Sequence, residues 1–127
     1  MIFGHGRLVG VLLACLAACA TLQPVVRSLA LPSGGTVHVA DELQGIRDKR
    51  VFTFHANAPS FLRVELSAPG AIRGVVVFPS GREEGGTGGV IFDQQLTESG
   101  QYQLRITESP MGESWQGKFH LHLQITR

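Results

Sequence analysis

From Phe119 to Ile125 apolar and polar residues alternate without a break, with Phe119, Leu121, Leu123 and Ile125 on one side and Lys118, His120, His122 and Gln124 on the other. The same period runs from Gly100 to Ile106, where Tyr102, Leu104 and Ile106 oppose Gln101, Gln103 and Arg105. A period of two belongs to a strand with one face on a core and the other in water. Outside the N-terminal segment no stretch shows convincing helical periodicity, so the chain must build its core from strands.

Shorter segments repeat the pattern between turn residues. Thr36 to Ala40 is a short strand and Asp41 to Arg50 a polar loop. Phe52, Phe54 and Ala56 share a face, Asn57-Ala58-Pro59-Ser60 turns the chain, and Leu62, Val64 and Leu66 resume the pattern. After a turn at Ser67 to Ala71, Ile72, Val76 and Phe78 line a face interrupted by Gly74, where a bulge or a close contact is expected. Pro79-Ser80-Gly81 closes that strand, Arg82 to Gly89 reads as a glycine-rich loop, and Val90 to Phe92 is brief. Glu108 to Gly117 is a loop before the last strand. About seven to eight short strands separated by Gly, Pro and Ser predict an all-β chain folded as an antiparallel β-sandwich, with a closed barrel as the alternative.

The first residues point to export. Met1 to Arg7 carries an arginine and a histidine, and an almost wholly apolar run from Leu8 to Ala18 follows. That run is too short to span a bilayer, which takes about 20 residues, and has the make-up of a signal peptide. It ends Leu16-Ala17-Ala18-Cys19, which resembles a bacterial lipobox and implies that Cys19 carries a lipid. Ala20 after the cysteine resembles the sorting signal for the outer membrane, facing the periplasm. Ala18-Cys19-Ala20 also fits ordinary cleavage after Ala20, and Leu12 to Cys15 is a poorer lipobox with a bulky residue before its small one. The expected organisation is a signal at 1–18, a tether at 19–35 with Pro24, Pro32 and Gly34-Gly35 and room for a loose first strand at its end, and a domain over 36–127.

Several kinds of chemistry are excluded or unsupported. Both cysteines, Cys15 and Cys19, lie in or at the end of the signal, so the domain has no thiol for a disulfide, a zinc site or a nucleophile. Beyond residue 18 the acidic and basic side chains balance, without the basic stripe of a nucleic-acid binder. His120 and His122 project from one strand face, with His38 and His55 as possible neighbours, but a zinc site needs three or four converging ligands, and no metal is expected. Gly85 to Gly89 lacks the Gly-Lys-Ser/Thr ending of a phosphate loop. Ser99 has no His and Asp at a triad spacing, and Glu83 and Glu84 would point to opposite sides of an extended chain. Neither an enzyme nor a cofactor is expected.

The strands Val51-Phe52-Thr53-Phe54-His55-Ala56, Leu62 to Leu66, Val76 to Gly81, Glu98 to Tyr102 and Phe119 to Ile125 resemble the bacterial pre-peptidase C-terminal domain. That resemblance implies a jelly-roll-like sandwich over about residues 41–126. Within the group the chain is similar to the periplasmic inhibitors of goose-type lysozyme, through Asp48, Phe52-Thr53-Phe54, Pro79-Ser80-Gly81, Ser99-Gly100-Gln101-Tyr102 and Leu104-Arg105-Ile106. It implies a lysozyme as protein partner, and Ser99, Gly100, Tyr102 and Arg105 as partner-binding residues, with the Ser-Gly-x-Tyr turn entering the lysozyme cleft.

Other roles stay open at this level. Tyr102 shares the parity of Leu104 and Ile106, which would bury its ring with the hydroxyl tied to nearby backbone. Between Arg82 and Glu113 six acidic residues (Glu83, Glu84, Asp93, Glu98, Glu108, Glu113) face two arginines, a net of −4 that would either steer a basic partner or sit solvated. An accessory or carbohydrate-binding module, with peptidoglycan as a further partner, is the alternative function, and an exposed Trp115 among other aromatics would mark it. A purely structural lipoprotein is the third.

Overall fold

The computed structural model describes residues 25–127 apart from residues 33, 46 and 114, so the signal region and Cys19 lie outside the described residues. Nine strands are present among the described residues: β1 Val25–Ser28, β2 Thr36–Leu43, β3 Lys49–Ala56, β4 Phe61–Ser67, β5 Ile72–Val77, β6 Glu83–Gly86, β7 Gly89–Gln95, β8 Gly100–Glu108 and β9 Gly117–Thr126. They form a five-stranded sheet, β1-β3-β8-β5-β6, and a four-stranded sheet, β2-β9-β4-β7. Every pairing is antiparallel except β1 with β3. Both sheets keep two edges, so the fold is an open sandwich rather than a barrel.

Strand parity becomes the core. Phe52, Phe54, Val76, Tyr102, Leu104 and Ile106 from the larger sheet meet Leu62, Val64, Leu66, Phe119, Leu121 and Leu123 from the smaller, all buried. Phe52 and Phe119 touch edge to face at 6.4 Å between ring centres, and Phe78 meets Phe92 at 5.8 Å. Such cross-sheet contacts between inward side chains give a sandwich its cohesion without covalent links.

Three segments differ from the expectation. β2 runs three residues beyond Ala40, because Asp41 faces Arg50 at 3.6 Å and Leu43 is fully buried. Asp48, bonded both to Arg50 and to the Gln44 N–H at 2.7 Å, closes the shortened loop. The glycine-rich stretch is a hairpin, with β6 paired along β5. A Cβ at Gly85 would lie 2.2 Å from the Gly74 carbonyl oxygen, so the glycine lets this edge strand close on its neighbour. Within the stretch read as tether, Val25–Ser28 is a strand of the larger sheet, and Leu29, whose N–H donates to the Thr53 carbonyl at 2.7 Å, is buried.

The topology sorts the loops onto two poles. One holds the connections at 44–48, 68–71, 87–88 and 109–116, together with the start of β1. The other holds the connections at 57–60, 78–82 and 96–99 and the end of β9. Ser99 therefore sits at the opposite end of the sandwich from Val25.

Candidate functional site

β8 begins at Gly100, so Ser99 stands just outside the sheet and its side chain is free to meet the neighbouring loop. Ser99 is exposed, and its Oγ accepts the Ala58 N–H at 2.9 Å. On the other flank the Glu98 carboxylate accepts the Ser80 N–H at 2.9 Å and the Ser80 hydroxyl at 3.0 Å. Three loops are thus joined through two short polar side chains. Gly100 adopts φ +142°, a conformation open to glycine, and a Cβ there would approach Pro79 at 3.1 Å.

Tyr102 is fully buried. Its ring stacks on Phe54 at 5.5 Å and leans on Phe78 at 5.3 Å, and its hydroxyl donates to the Glu98 carbonyl at 2.6 Å. This is the buried arrangement that its parity with Leu104 implies. The tyrosine acts on the bend from beneath, fixing the residue before Ser99.

Burial pushes the Tyr102 hydroxyl above its ordinary pKa of 10.0, the Glu98 charge adds to the rise, and the charge of Arg82 opposes it. A raised folded value makes this contribution to stability complete below pH 10.0, the unfolded value, and loses it as pH rises through the folded one. Because the chain has a single tyrosine, phenolate absorbance reads this group alone. In an alkaline titration phenolate should appear together with loss of the folded far-ultraviolet signal. Ionisation near pH 10 in a chain that stays folded would contradict the buried, bonded hydroxyl.

Arg105 is separated from the bend. It lies five residues after Gly100, about 17 Å along the strand at some 3.4 Å per residue, and pairs with Glu83 of β6 on the outer face of the larger sheet. Four of the six acidic residues between Arg82 and Glu113 lie in ion pairs. Glu84 and Glu98 flank Arg82 at 3.6 and 3.9 Å, Asp93 meets Arg63 at 3.4 Å, and Glu108 is buried with one oxygen accepting the Trp115 N–H at 2.6 Å. Arg82 serves two of these carboxylates and Arg63 is shared with Glu65, so the pairs leave a net negative charge. Glu108 continues the inward parity of Tyr102, Leu104 and Ile106, so its burial was legible in the sequence although its partner was not.

The remaining candidates do other work. His38 stacks on His122 at 4.0 Å across β2 and β9, while His55 lies on the other sheet. No group of three or more metal-ligating side chains is placed to hold an ion among the described residues. Trp115 packs against the core with its ring over Gly70, and its indole N–H donates to the Ala71 carbonyl at 2.7 Å. It ties the 109–116 loop to the 68–71 turn and has no stacked aromatic neighbour among the described residues. The only hydrogen-bond partner of the Ser99 hydroxyl among the described residues is a backbone N–H, an arrangement that positions a loop and activates no nucleophile.

The sequence pattern did not disclose the loop partners of the bend, Ala58 and Ser80. The parity of Phe61 opposite Leu62 and Val64 marks it as an aromatic on the outer face.

No protein-family model matches the chain, and no curated protein matches it. Among solved structures it is similar to the periplasmic inhibitor of g-type lysozyme from Aeromonas hydrophila, at 16% identity and a TM-score of 0.62, over 81% of this chain and 99% of that one. The corresponding inhibitor from Salmonella Typhimurium matches at 13% identity and a TM-score of 0.58, over 78% of this chain and 98% of that one. The pre-peptidase C-terminal domain of a Bacillus anthracis collagenase matches at 16% identity and a TM-score of 0.54, over 80% and 97% of the two chains. At these identities the likeness shows the fold, and it is the sandwich that the sequence resemblance implied.

Proposed function

We propose that this chain is an exported envelope lipoprotein that binds a lysozyme and blocks its cleft with the Ser99–Tyr102 bend. The observation that carries this is the bend itself, an exposed serine on a turn fixed by two flanking loops and by a buried tyrosine beneath it. The near-complete coverage of a g-type lysozyme inhibitor by the same fold supports it. The mechanism is steric: a rigid protrusion occupies the space where a glycan strand would lie, with no covalent step. Ser99 and Gly100 form the protrusion, Tyr102 positions it, and Arg105 contributes at the flank of a wider contact. A rigid bend loses little conformational freedom on binding, so more of its contact energy appears as affinity.

A lipid on Cys19 would hold the domain at the membrane. The chain enters the sandwich at Val25, at the pole away from Ser99, so such an anchor leaves the bend free.

The test is a lysis assay with the chain from residue 19 onward against goose-, chicken- and invertebrate-type lysozymes. At micromolar protein, inhibition of at least one is expected, the goose type first. No inhibition of any would overturn the proposal. The likeness to a collagenase accessory domain favours a second role as a non-catalytic accessory module. Retention on purified peptidoglycan without lysozyme, in a chain that inhibits none of the three enzymes, would select it.

A further inference from the structure

Phe61 is the one large aromatic counted among the exposed hydrophobic side chains of the described residues, at 41% exposure. It opens β4 on the outer face of the smaller sheet, beside Gln95 and Thr126, at the pole that carries Ser99. The loop between Ser99 and Phe61 is held at four points. Ala58 N–H donates to the Ser99 hydroxyl at 2.9 Å, Gln95 Nε2 to the Pro59 carbonyl at 3.0 Å, Leu96 N–H to the Ser60 carbonyl at 2.7 Å, and Ser60 N–H to the Asn57 carbonyl at 3.1 Å. Next to it a hollow of about 290 Å³ opens between Asn57–Ser60 and Arg127.

We infer that the partner surface extends from the Ser99 bend over the Ala58–Pro59 loop to Phe61, with Phe61 as its aromatic anchor. The occupant is the protein partner of the preceding section, on which this inference rests: a folded protein with an apolar wall beside the cleft that takes the bend. The surface has the make-up of a protein-binding patch, an aromatic in a polar surround on ordered backbone. Its continuity with the bend singles out this patch. The other exposed apolar side chains lie elsewhere, Met111 and Val90 at the opposite pole and Val26 on the edge strand β1.

The experiment compares the chain with Phe61→Thr and Met111→Ala variants for lysozyme affinity and inhibition, with thermal unfolding as a control. Threonine keeps strand propensity at an exposed site, so the fold should survive. If it does not, Phe61→Tyr, which keeps the ring and should keep affinity, and Phe61→Leu, which removes it, serve the same comparison. Loss of the aromatic should weaken affinity roughly tenfold or more, with Met111→Ala within about twofold of the parent. A parent that inhibits while the ring-less variant inhibits equally well would overturn the anchor and leave the inhibitor proposal standing. Equal weakening by Met111→Ala would overturn the localisation of the surface. A parent that inhibits no lysozyme would remove both.

Discussion

Truncating Tyr102 to alanine is expected to cost about 3–5 kcal/mol of folding stability, the range for losing a large aromatic from a packed core. The ring is fully buried between Phe54 and Phe78, so its removal leaves a cavity at the centre of the larger sheet. The hydroxyl is lost as well, and the Glu98 carbonyl it served is left without that donor. Small domains hold only about 5–15 kcal/mol in total, so the variant should be partly unfolded at physiological temperature. Tyr102→Phe separates the two contributions. It keeps the ring, removes the bond, and should cost about 1–2 kcal/mol. Urea unfolding provides the measurement: the midpoint should fall in the order parent, phenylalanine, alanine, with an unchanged slope. An alanine variant within about 1 kcal/mol of the parent would show that the aromatic cluster is not the centre of the fold.

Gly100→Val is expected to weaken lysozyme inhibition strongly while leaving most of the sandwich folded. At φ +142° a β-branched residue is strained, and its Cβ would press on Pro79 at 3.1 Å. Strain of this kind costs about 1–3 kcal/mol, which the chain can relieve by reshaping residues 97–100. Reshaping pulls the Ser99 hydroxyl off Ala58 and Glu98 off Ser80, so the three loops lose their common geometry. The inhibition constant should rise by roughly a hundredfold, because a displacement of about an ångström at a cleft-filling group is costly. The thermal midpoint should fall by some 4–24 °C, from about 1–3 kcal/mol of strain at about 4–8 °C per kcal/mol in a domain of this size. Inhibition unchanged in a folded Gly100→Val variant would remove the bend from the mechanism.

Much of the fold was visible in the residue pattern because alternation reports directly on burial. Tyr102, Leu104 and Ile106, and Phe119, Leu121, Leu123 and Ile125, are inward as their parity requires. The pattern failed where charge or glycine concealed it. Asp41 looked like the start of a loop, yet β2 continues because Arg50 neutralises it. Glu83–Gly86 looked too glycine-rich for a strand, yet its glycine is what allows close pairing with β5. Of the candidate site, Ser99 and Gly100 stand on an exposed bend, Tyr102 lies under it, and Arg105 is a strand's length away. Sequence distance alone could not separate Arg105 from Ser99, since the separation comes from the extended geometry of β8.

By itself the sequence determined the strongly alternating strands and which face of each is apolar, since both follow from backbone pleat and side-chain hydropathy within a few residues. It also determined that no cysteine lies beyond Cys19, so the domain carries no thiol. Only the tertiary structure decided what the Ser99 hydroxyl holds, a backbone N–H 41 residues earlier. It alone decided that the acidic residues are mostly paired and that Phe61 shares a pole with the bend. Those outcomes depend on strand order and register, which arise when two sheets close over one core, and no local window of residues contains that information.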